Sequence, residues 1–511
     1  MNKLTPILIL VLLCAKAFAQ NVEVARFEMP LTTKSQQSGF VILDNEILAF
    51  AERNSTQTKG AKELDFYLLD SNLIAQKSFS TPLGANLQLS SSTASDEFAA
   101  VIFASTKRSD STNVNVVLYD RINGKFSSFA TVLPPNITLI PSVAAANTLM
   151  IAYNHNNGGS SISFYNMKDG TTRRETLQDN DFLIRNTEVL PSTDHFIVTM
   201  KRFENRHSVA TDFMHFTSEG TLVNSYSFPN GENTTIGRSC CKTGPDGSLR
   251  IFATLEHINN TKVSAQSFAN NYDNETIGIV WINFSSGRTQ SKTYLFKDIP
   301  NIDKALTPSH RLRVKQRQVQ QSDSTAKRIE IAFQLLKPNL LLHNDTSIMA
   351  LEAFIPIYHT ETRMEFGYYG SVPTTYTVFD GYDFYSHLLF AFSDKGELLW
   401  HSHTKFDNPT DENLTRHTGE AICRDEILTL STSYNTLIYS VTDLNGTKLL
   451  DEDKVALPMM RQNDILATEA SSYIRQWYGN NFVIFGKQTV KNRMMRKAER
   501  VVSFLQKIQY E

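Results

Sequence analysis

One phrase recurs along this chain and constrains its fold more than any other feature. It is clearest from His387 to Phe406, HLLFAFSDKGELLWHSHTKF. Leu388, Phe390 and Phe392 alternate with Leu389 and Ala391, which describes a strand with apolar residues on both faces. Ser393-Asp394-Lys395-Gly396 supplies a turn in which glycine takes a positive φ at no steric cost. Leu398 to Trp400 starts the return strand. Variants of this hairpin begin at Asp65, Val114, Ser161, Thr211, Ile277, Asn435 and Arg500, making eight copies. Six carry a turn glycine: Gly124, Gly170, Gly220, Gly287, Gly396 and Gly446, at spacings of 46, 50, 67, 109 and 50 residues. A period near 50 is too long for a leucine-rich repeat, and its content is too β-rich for a helical one.

Two further strand-like runs precede most hairpins. Leu87-Gln88-Leu89 and Glu97 to Ala104 stand before the second copy, Thr187 to Leu190 and His195 to Met200 before the fourth. Leu249 to Leu255 stands before the fifth and Glu426 to Leu430 before the seventh. Each unit therefore reads as an inner strand, a second strand and an outer hairpin. This pattern resembles a β-propeller. Neither a Gly-His…Trp-Asp blade signature nor a kelch-like diglycine is present, so no named blade subfamily is implied. The resemblance implies an all-β fold of four-stranded antiparallel blades in a single domain over residues 20–511. The expected number is eight blades, or seven if the first or last copy is not a blade of its own. Val22 to Phe27 and Val501 to Gln509 are both strand-like. Strands from the two ends are expected to complete one blade, since an open ring leaves exposed edges.

Residues 1–19 read as a signal peptide. Lys3 gives the positive segment, Ile7 to Leu13 the apolar one, and Ala17-Phe18-Ala19 the cleavage pattern. The form is that of a Gram-negative bacterium, and the expected destination is periplasmic, cell-surface or secreted. Later apolar runs fall short of the ~18 residues of a spanning helix, so no transmembrane segment is expected in the mature chain. A net charge of −2 and a pI near 6.7 argue against a dedicated nucleic-acid binder. Cys240, Cys241 and Cys423 remain after processing, too few for a disulfide framework, and are read as packed on inner strands.

The 109-residue gap between Gly287 and Gly396 breaks the period. It holds an inserted hairpin near residues 308–336, where Arg311, Arg313, Lys315 and Arg317 fall on one strand face. That stripe reads first as a solvated edge that discourages pairing. Glu352 follows inside the apolar run IMALEAFIPIY, where a carboxylate must be hydrogen-bonded or paired. A long loop is expected near residues 359–386. Ten aromatics fall within the 32 residues from Phe354 to Tyr385, interleaved with His359, Arg363, Asp380 and Asp383. Rings with carboxylates between them suit sugar binding, and packing against a blade is the plainer alternative.

Motifs for nucleophilic catalysis, phosphate binding, calcium loops or other cofactors are missing. His401-Ser402-His403 has chelating spacing but lacks a third ligand, so no metal site is assigned. Two function classes remain. The first is a binding or scaffold module outside the cytoplasm, with polysaccharide or another extracytoplasmic protein as partner. The second is a carbohydrate-active hydrolase or lyase with its site on the channel face of the sixth and seventh blades. The candidate ligand-binding residues are Glu352, His359, Arg363, Asp380, Tyr382, Asp383, His417 and Glu420.

Overall fold

A computed structural model describes residues 25–510 apart from 56–60, 85, 106–110, 178–181, 192, 206–207, 232–233, 259–274, 286–287, 310–330, 368–369, 407–409 and 495–498. The segment read as a signal peptide, Gly287 and most of the segment read as an inserted hairpin with its basic stripe lie outside the described residues. The described residues form eight antiparallel four-stranded sheets, each made of strands consecutive in sequence except the last. This is an eight-bladed β-propeller. Seven of the eight hairpins read from the repeat are outer hairpins of blades, and the copy at Arg500 is a single strand, Glu499–Gln509, whose outer partner comes from the other end of the chain.

Blades 1 to 7 begin at Ser38, Leu87, Ile137, Phe182, Thr234, Gln334 and Gly419. Blade 8 takes three strands, Asp464–Gln476, Asn481–Asn492 and Glu499–Gln509, and its outermost strand is Arg26–Leu31 from the start of the chain. Arg26 pairs opposite Gln506 and Leu31 opposite Val501, so both ends complete one blade. Arg26 is buried over the Phe504 ring, bonded to Glu28, Gln488 and Gln506, and Arg500 reaches Glu28 and Asp464. In blades 3 and 6 the innermost strand is broken into two short pieces, Ile137–Leu139 with Val143–Ala145 and Gln334–Leu335 with Asn339–His343.

The core lies between blades. Phe50 and Phe66 of blade 1 pack on Phe103 of blade 2, all fully buried. Each such ring contributes about 1.5–3 kcal/mol of transfer free energy. Three of the turn glycines belong to these contacts. Gly220, Gly396 and Gly446 all have positive φ, and a Cβ on them would strike Phe164, Trp281 and Trp400 of the preceding blade. At these three copies glycine serves close approach as well as the turn. The first copy lacks the glycine, and there Leu73 takes φ 58° while its side chain is buried.

Residues 359–386 are not a loop. Thr346–Gly367 and Gly370–Ser393 pair continuously from Thr346 opposite Ser393 to Gly367 opposite Gly370. Their lower halves are the middle strands of blade 6, and their upper halves extend past it as a two-stranded ribbon. Thr360, Thr362, Thr375, Thr377 and Val378 are β-branched and favour the extended backbone.

Candidate functional site

The inner strands of blades 3 to 8 enclose a cavity of about 610 Å³. Among the described residues five cations line it, Arg185, Arg238, Lys337, Arg416 and Arg475, against one carboxylate, Glu420. Irregular backbone places three of the five. Arg185 falls where the register of blade 4 shifts between Ile184 and Asn186. Arg238 falls in the equivalent shift of blade 5, between Ile236 and Ser239. Such bulges bend a strand and re-aim the extra side chain. Lys337 stands in the break of blade 6, between Leu335 and Asn339.

Arg416 precedes the inner strand of blade 7. One end of its guanidinium donates to Glu420 Oε1 at 2.6 Å. The other donates to the carbonyls of Lys337 at 2.7 Å and Ala350 at 3.1 Å, which ties blade 7 to blade 6. Glu420 also accepts from His387 Nε2 at 2.8 Å, the Thr418 hydroxyl at 2.8 Å and Asn339 Nδ2 at 3.1 Å. Burial alone would raise the Glu420 pKa. Arg416 beside it, with His387 and Thr418 donating, outweighs burial and holds it well below the usual carboxylate range. Burial works against the charge of Arg416, yet Glu420 and Glu352 raise it overall. Arg475 is lowered by burial and by the nearby Arg416 charge, and it donates to the carbonyls of Arg416 and Ile474.

Glu352 is fully buried and accepts the backbone N–H of His417 at 3.0 Å, together with the N–H and hydroxyl of Thr418. It anchors the approach to blade 7 and does not line the cavity. His417 donates Nδ1 toward the Ser472 carbonyl at 3.0 Å and lies between the Phe384 and Tyr473 rings, with Asp411 3.4 Å from its Nε2. Burial opposes the Asp411 charge, and His417, the Asn413 N–H and Tyr473 more than offset it, so its pKa is lowered.

The eight candidate residues thus do not form one pocket. Glu352, His417 and Glu420 meet at the contact of blades 6 and 7, and of the eight only Glu420 faces the cavity. His359, Arg363 and Asp380 lie exposed on the ribbon, with His359 Nδ1 2.6 Å from Asp380 and Arg363 bonded to Glu361 at 2.7 Å. They stand apart because the segment pairs with itself instead of folding across the channel. Tyr382 is a packed strand residue with its ring edge-on to Phe354 and Phe379, and Asp383 is half-buried opposite Ile355. Sequence reading missed Arg185, Arg238, Lys337, Arg416 and Arg475. Arg416 carried a signal, an i,i+4 spacing to Glu420 just before an inner strand.

Cys240, Cys241 and Cys423 are free, buried and on the inner strands of blades 5 and 7, and burial raises the pKa of all three thiols. Among the described residues no three His, Cys, Asp or Glu side chains gather as a metal site. No helix among them is long and apolar enough to cross a membrane.

No protein-family model matches this chain, and no curated protein matches it. Solved structures do. The Dos1 propeller is 9% identical, with 96% of this chain and 95% of that chain covered and a TM-score of 0.42. The β-propeller domain of the Trilobed protease from Pyrococcus furiosus, described as having an open velcro topology, is 10% identical over 82% of this chain and 95% of that one, with a TM-score of 0.33. A prolyl endopeptidase is 8% identical over 90% of this chain, with a TM-score of 0.40. This chain covers 54% of that protein, about half its length. None of the three bears on what this chain does.

Proposed function

We propose that this protein is an exported binding module whose channel cavity holds a multiply charged anionic ligand. The observation that carries this reading is the lining, among the described residues five cations to a single carboxylate that is itself engaged. Charges of one sign in a cleft with low-dielectric walls focus the field on a ligand of the opposite sign. The cavity, about 610 Å³, falls in the usual range for small-ligand sites. Arginine forks suit carboxylate, sulfate or phosphate groups. A short acidic oligosaccharide combines these charges with that size.

A carbohydrate-active hydrolase or lyase would need a group that moves protons at the ligand. Glu420 is the carboxylate that faces the cavity, and its donors keep it ionised. That favours binding over turnover.

The test is calorimetric titration with oligogalacturonate and with a neutral oligosaccharide of equal length, at low and high salt, followed by product analysis. Binding of the acidic ligand alone, weakened by salt and without products, is expected. The double variant Arg185→Ala with Arg238→Ala should lose it while melting as wild type. Equal binding of both oligosaccharides would refute the anionic reading. Reducing ends or unsaturated products would support the enzyme instead.

A further inference from the structure

The ribbon above blade 6 has two long edges. The strand Thr346–Gly367 meets its inner partners only as far as Phe354, and the strand Gly370–Ser393 meets its outer partner only from Ser386 onward. Among the described residues, no backbone hydrogen bond from outside the ribbon reaches residues 357–367. The edge along 370–380 carries Pro373, a residue that native edges use to block pairing. The edge along 357–367 has no such guard.

Pro373 also fixes the phase of the ribbon. It stands opposite Met364, and proline fits an edge strand where its missing N–H faces outward. Residues 358, 360, 362, 364 and 366 therefore turn their N–H and C=O groups to the open side. Their side chains share one face, and their cross-strand partners are Phe379, Thr377, Thr375, Pro373 and Ser371. That face bears no charge. Large apolar side chains stand free on it: Phe366 is 90% exposed, Met364 58%, Tyr358 52% and Phe379 41%. The opposite face carries His359, Glu361, Arg363 and Glu365.

We propose that this edge pairs with the same edge of a second copy of the chain, antiparallel about a two-fold axis through Thr362. In that register Glu361 of one copy stands opposite Arg363 of the other, and His359 opposite Glu365. On the uncharged face, Tyr358 meets Phe366, Thr360 meets Met364, and Thr362 meets itself. Sliding the axis by one residue sets Glu361 against Glu361 or Arg363 against Arg363, and directly opposed like charges destabilise a pair. The edge is self-complementary in charge and in shape class, as an isologous contact requires. The result is a four-stranded sheet spanning two molecules. An edge of nine residues buries less than the ~800 Å² per partner of a standard stable interface, so the dimer forms in a concentration-dependent way.

Sedimentation equilibrium of the full chain tests this, with three variants. Wild type should dimerise. Thr362→Pro removes an outward N–H, leaves the ribbon's own bonds in place, and should be monomeric with an unchanged melting temperature. Glu361→Arg and Arg363→Glu should each weaken the dimer about tenfold, since each puts like charges across the axis twice. The double variant Glu361→Arg with Arg363→Glu restores the pairing and should regain wild-type affinity. A wild type that stays monomeric to its solubility limit overturns the proposal. So does a dimer that Thr362→Pro leaves intact, or a double variant no better than the singles. Co-sedimentation of a monomeric wild type with phosphatidylglycerol vesicles would assign the ribbon to a membrane and overturn it equally.

Discussion

The same two strands carry a histidine–carboxylate contact at each end, and the two could hardly differ more. Low in blade 6, His387 meets Glu420 at 2.8 Å with both side chains 1% exposed. High on the ribbon, His359 meets Asp380 at 2.6 Å with side chains 51% and 36% exposed. Geometry alone would rank the exposed pair first. Water reverses the order, because an exposed pair is screened and a buried one is not. The lower contact also belongs to a network with Arg416, Thr418, Asn339 and Glu352, each holding another in place. The upper one joins side chains that solvent would serve nearly as well.

Breaking the lower network should have the largest effect. Arg416→Ala takes from Glu420 its directly bonded guanidinium and from Glu352 a nearby charge, leaving Arg475 as the remaining arginine beside two buried carboxylates. It should cost about 3–5 kcal/mol in urea unfolding. A loss below about 1 kcal/mol would mean that water enters and screens the site.

Lys201 sharpens the comparison, because it is a buried cation of blade 4 whose hydrogen-bond acceptors are neutral: the Thr211 and Thr235 hydroxyls and the Ile236 carbonyl. Burial lowers its pKa to about 7, against partial support from Glu256. In the unfolded chain it titrates near 10.4. Between these values the unfolded state binds the extra proton, so stability rises with pH across that window and is flat below it. The slope approaches about 1.4 kcal/mol per pH unit. Lys201→Met should flatten the stability profile between pH 7 and 10, as followed by urea midpoints. An unchanged slope would show that another group is responsible.

The smallest effect belongs to the upper pair. His359→Asn should shift stability by less than about 1 kcal/mol, and added salt should erase the difference. A loss matching that of Arg416→Ala would mean that water does not screen this pair.

The fold was legible because blade packing and turn chemistry demand the same residues at the same period. Gly220, Gly396 and Gly446 meet a turn requirement and an interblade contact at once. The cavity was not legible, and for a specific reason. Arg185 and Arg238 owe their positions to register shifts, and Lys337 to a break in a strand. A period-two reading assigns faces only while the register holds. The ribbon was misread as a loop because its aromatics and charges masked the threonine alternation at 360, 362, 375 and 377. Glu352 was read from an acid in an apolar run, and the structure gives it three donors from His417 and Thr418 on the approach to blade 7.

The closure of blade 8 sets a timetable. Arg26 bonds to Gln506, 480 residues further along the chain. At synthesis rates of roughly 5–20 residues per second, the first strand waits about half a minute to a minute and a half for its partner to be made. Until then the first strand lacks its partner, and Ile47, Ala49 and Leu69 of blade 1 lack the blade 8 side chains that cover them. Seven blades can be finished before the eighth is made to lock them into a ring.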